Sequence, residues 1–465
     1  MIRVTHWRYC LSGSLVVSLL LIAGSTTATS SITLVNSITI PGETKDLYPL
    51  NGGKGGANVN RLGGFGSDLF YNPAQKVYYG LVDRGPGGGT IGYDTRVQKF
   101  SLSVNPTTGV ISNFKLLATI GLKQKDGTPF NGFSPERDNL NGNPENLGRS
   151  LDPEGFVVAP NGNFYISDEY GPSLLEFQPN GKLVRRFQIP QNVLPIDSNN
   201  KPNYSTASSV KIVKGRQLNR GFEGLAISPD GKKLYALLQD PLAEEGQPNG
   251  TYSRNLRLVI FDTKKGSSTA QYIYSLESLS SINSRIEKSE DAFKPDQQGR
   301  SIGISAIAAL NEHEFLVLER DNRGFGVEDP TSKKPVASKR LYKIDLRGAT
   351  DVSRLSLKGT NTLPTNVKPV KKSSSPFLDI AKALKDVQNK VPEKFEGLTF
   401  GPKLADGSYA LILATDNDFS VTQEDSGQQS DVCTDGKNSK KVPIDSSCPA
   451  GQKLIPSYLF SFKAK

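Results

Sequence analysis

Histidine is nearly missing from this chain, with two in 465 residues. His6 lies in the N-terminal leader, so the mature chain keeps only His313, which sits in a turn. No three-histidine zinc site can be built from one such chain. A Gly-x-Ser-x-Gly elbow is also missing, which argues against an α/β serine hydrolase. The run Gly85-Pro86-Gly87-Gly88-Gly89 has no following Lys-Ser/Thr and reads as a flexible loop, not a phosphate cradle. Lys and Arg exceed Asp and Glu, giving a net charge of +10, but they scatter in pairs such as Lys371-Lys372 and Lys440-Lys441. With no basic stripe interleaved with aromatics, nucleic acid is not an expected partner. The surplus charge can steer a small anionic substrate toward the surface.

Cysteine is scarce too, with three residues in all. Cys10 precedes an apolar run and is badly placed for lipid attachment. Cys433 and Cys448 flank a polar loop, and in an exported chain such a pair reads as one disulfide. Only residues 11–23 form an apolar stretch. They follow the basic Arg3 and Arg8 and precede small residues, with Thr26 and Ala28 as the cleavage pair. Residues 1–28 therefore read as a signal peptide, too short for a comfortable span; the alternative is an uncleaved anchor. The mature chain is expected to be secreted or periplasmic, without stable membrane insertion.

Glycine and proline are plentiful, 45 and 29 residues, and apolar residues fall in short runs between them. That pattern argues for many short strands. The runs also repeat. Residues 154–168, 223–240 and 396–416 share one order: acid, glycine, apolar strand, a turn with Asn-Gly or Asp-Gly, second apolar strand, acid. The unit is a β-hairpin. Degenerate copies occupy 66–84 and 305–321, making five. A second hairpin follows most copies, so each repeat reads as a four-stranded blade. The expected fold is all-β, a β-propeller of four-stranded blades, with five repeats legible and room for a sixth. Strands 31–40 and 458–462, at the two ends of the chain, are expected to pair and close the ring, protecting its edges. The repeats lie about 70 to 90 residues apart, against roughly 40 to 50 in compact propeller repeats. Insertions at 123–149, 191–216 and 352–391 account for much of the excess within a single domain, 31–465. In the last, Leu378, Ala381, Leu384 and Val387 have helical spacing, and the segment is expected to pack over one edge of the ring.

In an antiparallel hairpin the start of the first strand and the end of the second share one edge. The acids stand at those two places, so Asp83, Glu154, Asp168, Glu223, Glu319, Glu396 and Asp416 are expected around one mouth of a central channel. Crowded carboxylates repel unless cations compensate them. Arg84 and Arg320 supply part of that compensation, and a hard cation such as Ca²⁺ suits oxygen ligands without histidine. For any single acid the other reading stands beside this one: carboxylates at strand ends also accept backbone hydrogen bonds and fix turns.

At these residues the chain resembles the phytase-like family described as having esterase-like activity of phytase, a group of exported β-propeller proteins. The resemblance is carried by Asp83-Arg84-Gly85, Leu151-Asp152-Pro153-Glu154-Gly155, Ser167-Asp168-Glu169-Tyr170-Gly171-Pro172 and Phe222-Glu223-Gly224-Leu225. It continues through Leu318-Glu319-Arg320-Asp321, Phe395-Glu396-Gly397-Leu398 and Asp416-Asn417-Asp418. It implies hydrolysis of ester or phosphoester bonds and assigns no catalytic residue. The resulting expectation is an exported, metal-assisted hydrolase acting as a monomer on a small anionic or ester substrate. Asp83, Asp168, Glu223, Glu319, Asp321, Glu396 and Asp416 are its candidate Ca²⁺ ligands. Glu154, Glu169 and Tyr170 are candidate catalytic groups, with Tyr170 orienting or protonating the leaving group. Arg84 and Arg320 are candidate substrate-binding groups. A non-catalytic propeller with structural calcium and a lactonase-like hydrolase are the alternatives.

Overall fold

The computed structural model describes residues 32–49, 60–138, 142–385 and 390–465. Residues 1–28, read from sequence as a signal peptide, lie outside them with Cys10, as does Val387.

Five antiparallel sheets follow one another along the chain. The first holds Asp68–Asn72, Val77–Leu81, Arg96–Val104 and Ile111–Gly121, and the second Pro153–Val158, Phe164–Asp168, Ser173–Phe177 and Leu183–Arg186. The third holds Phe222–Ile227, Lys233–Leu238, Asn255–Asp262 and Ser267–Ser275. The fourth has three long strands, Ile302–Ala309, Glu314–Asp321 and Lys339–Asp345, and its edge is made by two short pieces, Lys371–Lys372 and Leu378–Asp379. The fifth orders Lys394–Lys403, Tyr409–Asp416 and Ser457–Ala464, then adds Thr33–Ile40 from the other end of the chain. The two terminal strands therefore pair, from Thr33 opposite Lys463 to Ile40 opposite Ser457. No sixth four-stranded sheet is found among the described residues.

The first strand of each sheet touches the first strands of both neighbouring sheets, and the fifth meets the first. Side chains alternate across each strand, so every sheet has two apolar faces to bury. It buries them against its neighbours. One apolar cluster joins the first and second sheets through Leu81, Val97, Phe156 and Ile166. Equivalent clusters join the second to the third, the third to the fourth, the fourth to the fifth and the fifth to the first.

The recurring Glu-Gly pair has a structural cause. The register of the first hairpin shifts between Pro153 and Gly155, between Phe222 and Gly224, and between Phe395 and Gly397. In each case the glutamate is the extra residue of a β-bulge, and a bulge re-aims the side chain it carries. The glycine after it faces the next sheet. A Cβ on Gly155 would lie 2.4 Å from Ser167 Oγ and 2.6 Å from Leu225 Cβ; one on Gly397 would lie 2.7 Å from Leu69 Cγ. Gly155→Ala is therefore expected to overpack the interface of the second and third sheets. It should cost about 1–3 kcal/mol, read as a lower urea midpoint with an unchanged slope.

The insertions decorate this frame. Residues 352–391 supply the fourth sheet's edge and the helix Ile380–Leu384, capped by Asp379, whose side chain accepts from Lys382 N. Ile380 and Leu384 are buried against the fourth and fifth sheets. Between the second and third strands of the fifth sheet lies a small three-stranded flap, Asp431–Thr434, Ser439–Val442 and Lys453–Leu454. Cys433 and Cys448 are disulfide-bonded there. Arg61 ties the flap to the body through Asp431 at 2.9 and 3.2 Å.

Candidate functional site

A cavity of about 290 Å³ opens where the first strands begin and the second strands end. Every sheet contributes to its wall. Asp83 and Arg84 follow the second strand of the first sheet. Glu154 and Glu223 come from the bulges of the second and third sheets. Arg320 closes the second strand of the fourth, and Glu396 with Lys394 begins the fifth. Glu169, Asp240 and Glu393 add three more acids, and Arg220 and Arg300 two more cations.

The acids cluster around Asp83. Carboxylate oxygens of Asp83, Asp152 and Glu154 lie within 4.8 Å of one another, as do those of Asp83, Asp416 and Asp418. Burial, then the neighbouring Asp416, pushes the Asp83 carboxyl well above its ordinary range. Burial, then Glu223, does the same to Glu154, and burial with Glu169 does it to Glu223. Asp416 is raised to about 7 by burial and Asp418; Glu393 reaches about 7 by the same two causes. Several lining oxygens are buried without a hydrogen bond, among them Asp240 Oδ1, Glu393 Oε2 and Glu223 Oε2, while Glu223 Oε1 accepts from Gln239 Nε2 at 2.7 Å.

The basic residues partly answer these charges. Arg84 donates to Asp152 Oδ2 (3.1 Å), Asn219 Oδ1 (2.9 Å) and Gln423 Oε1 (3.1 Å). Arg320 pairs with Glu396 and donates to Ser305 Oγ at 2.7 Å. Lys394 pairs with Asp418. Arg220 pairs with Asp240 at 2.9 Å and stands 3.5 Å from Glu169.

Asp418 owes its place to an unusual stretch of backbone. Asp418, Phe419 and Ser420 have φ of +47°, +56° and +59°, three left-handed residues in a row without glycine. Each costs roughly 1–2 kcal/mol, so surrounding contacts must impose the shape. Phe419 is buried edge-on to Tyr93, 5.2 Å between centroids, and fills the space a Cβ on Gly63 or Gly64 would need. Ser420 Oγ donates to Val432 O and accepts from Ile455 N.

Of the residues the sequence singles out, Asp83, Arg84, Glu154, Glu169, Glu223, Arg320 and Glu396 line the cavity. Asp416 stands behind Asp83. Four others lie elsewhere. Asp168 is fully buried and accepts from Asp152 N, Gly171 N and Ser173 Oγ, which makes it a turn-fixing carboxylate with no face toward the cavity. Tyr170 is buried and donates its hydroxyl to Gly132 O at 2.8 Å, so it holds a loop and has no free proton for a leaving group. Glu319 and Asp321 flank Arg320 on a strand, and strand alternation sends them to the other face. Glu319 accepts from Tyr274 and Glu277 N and pairs with Lys372, whereas Asp321 pairs with Lys339 at 2.8 Å. The sequence reading passed over Asp152, Glu393, Lys394, Arg220 and Arg300 as site residues. Asp152 and Lys394 sit within two residues of a motif glutamate, a signal that could have found them.

Sheets of this kind enclosing an oxygen-donor cavity define an all-β protein with a carboxylate site at one sheet edge. The chain belongs to the phytase-like family described as esterase-like activity of phytase, whose profile matches residues 60–419. A protein of Arthroderma benhamiae described as an uncharacterized secreted protein is 29% identical over 339 residues, covering 62% of this chain and 63% of its own length. The alignment thus spans less than two thirds of that relative. Two solved structures show a distant likeness. A luciferin-regenerating enzyme aligns over 92% of this chain and 95% of its own at 12% identity, with a TM-score of 0.30. The periplasmic gluconolactonase PpgL of Pseudomonas aeruginosa aligns over 92% and 99% at 13%, also with a TM-score of 0.30. Likeness at this level bears on neither activity nor substrate. No helix among the described residues is long and apolar enough to cross a membrane.

Proposed function

We propose that this chain is an exported hydrolase of phosphoester or ester bonds, a five-bladed β-propeller whose acid-lined mouth holds Ca²⁺ and forms the active site. The observation that carries this reading is the group of buried carboxylates around Asp83, facing the unpartnered Glu223 Oε2 in a cavity that also presents cations. The donor set fits a hard cation: the cavity lining has carboxylates and no histidine or cysteine, and Ca²⁺ takes six to eight oxygens. Asp83, with Asp416 and Asp418 whose carboxylate oxygens lie within 4.8 Å of it, would hold it; Glu223 and Glu396 stand outside that group. When bound, such an ion withdraws charge from a phosphoryl or acyl oxygen and makes water more acidic.

The chain's own groups supply the rest. No described residue hydrogen-bonds the Glu154 carboxylate, and burial with Glu223 pushes it up, the direction that makes it a stronger base toward water. Glu169, held by Asn219 Nδ2 at 2.6 Å, is the second carboxylate within reach of a bound ester. Arg84 and Arg320 keep their guanidiniums on the wall, fixed by Asp152 and Glu396, where they meet substrate oxygens. The leader-like residues 1–28 and the secreted relative support export. A single domain over 31–465, acting as a monomer, completes the reading.

The test is turnover of phytate, aryl phosphates, aryl esters and lactones by the purified mature chain, with Ca²⁺ and with EDTA. Hydrolysis should require Ca²⁺ and fall about 100-fold or more in Glu154→Gln. Calcium-dependent melting with no turnover above that variant on any substrate would end the hydrolase reading and leave a ligand-binding propeller. Turnover of lactones alone would identify the lactonase-like alternative.

A further inference from the structure

Five cationic side chains line the cavity, and four of them are ion-paired, two with lining acids and two with Asp152 and Asp418 of the cluster around Asp83. Arg300 is the exception. Among the described residues no carboxylate lies within ion-pair distance of it, and its Nη1 donates to the Leu218 carbonyl at 2.7 Å. The strongest electrostatic influence on it has the same sign. Arg220, with burial second, lowers the Arg300 guanidinium to about 10, against the weaker opposing pull of Asp240 and Glu169. Two guanidiniums set beside each other, one of them unpaired, repel until an anion joins them.

Position adds a second argument. The carboxylate cluster belongs to the fifth, first and second sheets, whereas Arg220 and Arg300 immediately precede the first strands of the third and fourth. Arg300 also lines a second cavity, of about 690 Å³, bounded by Val213, Ala243, Pro248 and Lys358. It stands where the two spaces share a wall.

We propose that Arg300, assisted by Arg220, is the anion-recognition point of this protein, taking the phosphate of a phosphomonoester whose organic part lies in the second cavity. A phosphate brings a double charge and three free oxygens, which two forked guanidiniums match better than a single one would. The substrate class rests on the hydrolase reading; the anion site itself does not.

The experiment is calorimetric titration of the full mature chain with inorganic phosphate in EDTA, for the wild type, Arg300→Met, Arg300→Lys and the remote control Arg347→Gln. A lost charge-assisted contact is expected to weaken phosphate binding about tenfold or more in Arg300→Met. Arg300→Lys should fall between, the control should match the wild type, and acetate should bind more weakly than phosphate throughout. Removing an unpaired cation should leave the melting temperature unchanged or higher; if Arg300→Met fails to fold, the lysine variant carries the comparison. No phosphate binding by the wild type, or equal binding by Arg300→Met and Arg300→Lys, overturns the proposal. Loss of phosphate binding in a family of variants that hydrolyses nothing supports the anion site and removes the hydrolase reading. Hydrolysis with phosphate binding untouched by either Arg300 variant does the reverse.

Discussion

In EDTA the protein will melt at a higher temperature at pH 5 than at pH 8, and Ca²⁺ will shrink or reverse that difference. The cause is the buried carboxylate group. An unfolded aspartate or glutamate titrates near 4, whereas in the folded, metal-free chain Asp416 and Glu393 keep a proton to about 7. Between those values the native state binds more protons than the unfolded one. Stability from these two groups is therefore fully present below about 4 and is lost as pH rises through about 7. A shift of about three units corresponds to roughly 4 kcal/mol for Asp416, and Asp83, Glu154 and Glu223 shift in the same direction. Under the proposed function calcium would compete with those protons for the same oxygens. At 100 times its dissociation constant it adds about 2.7 kcal/mol, with most of its effect at pH 8. Scanning calorimetry at the two pH values, with and without Ca²⁺, measures this directly. A melting temperature that ignores Ca²⁺ at pH 8 would remove the ion from the site.

The second large effect is expected at a buried ion pair outside the cavity lining. Lys339 and Asp321 are both fully buried, with Nζ 2.8 Å from Oδ1. The same carboxylate accepts from Ala337 N (2.6 Å) and Ser338 N (2.8 Å), so it fixes the chain leading into the third strand of the fourth sheet. Lys339→Met leaves a buried carboxylate whose opposite charge is gone, which costs about 3–5 kcal/mol. Adding Asp321→Asn removes the stranded charge and should restore part of the loss. Urea unfolding of both variants decides it. A single variant within about 1 kcal/mol of the wild type would mean that water reaches the pair.

The fold was legible in the sequence wherever a repeat was intact. Residues 154–168, 223–240 and 396–416 mark hairpins by their turns and by alternation, and the strand-like ends of the chain announce their pairing. Less legible was any element without that pattern. The edge of the fourth sheet comes from two-residue pieces at 371–372 and 378–379, too short to leave a periodic signal, and the flap at 431–454 betrayed only its two cysteines. In the site, the Glu-Gly pairs pointed to Glu154, Glu223 and Glu396 because the bulge needs both residues. The corresponding bulge of the fourth sheet carries Ser305 and no acid, so on the paired strand Glu319-Arg320-Asp321 alternation decides which side chain faces inward, and it chooses the arginine. Asp168 and Asp321 illustrate the competing role of strand-end acids, since both hold backbone amides. Arg220 and Arg300 lie in loops just before first strands, where no period exists to flag them.

The five apolar clusters between sheets have a consequence at the other end of each sheet. They press together the inner strands from which like charges project, so hydrophobic contact in the body works against electrostatic recoil at the mouth. The molecule resembles a loaded spring held by five clasps. A mutation that loosens any one clasp, such as a larger residue at Gly155 or Gly397, relaxes the crowding of carboxylates as well as the core. The ionisation of those carboxylates and fold stability are then bound to drift together, and this architecture leaves little freedom to tune one while leaving the other alone.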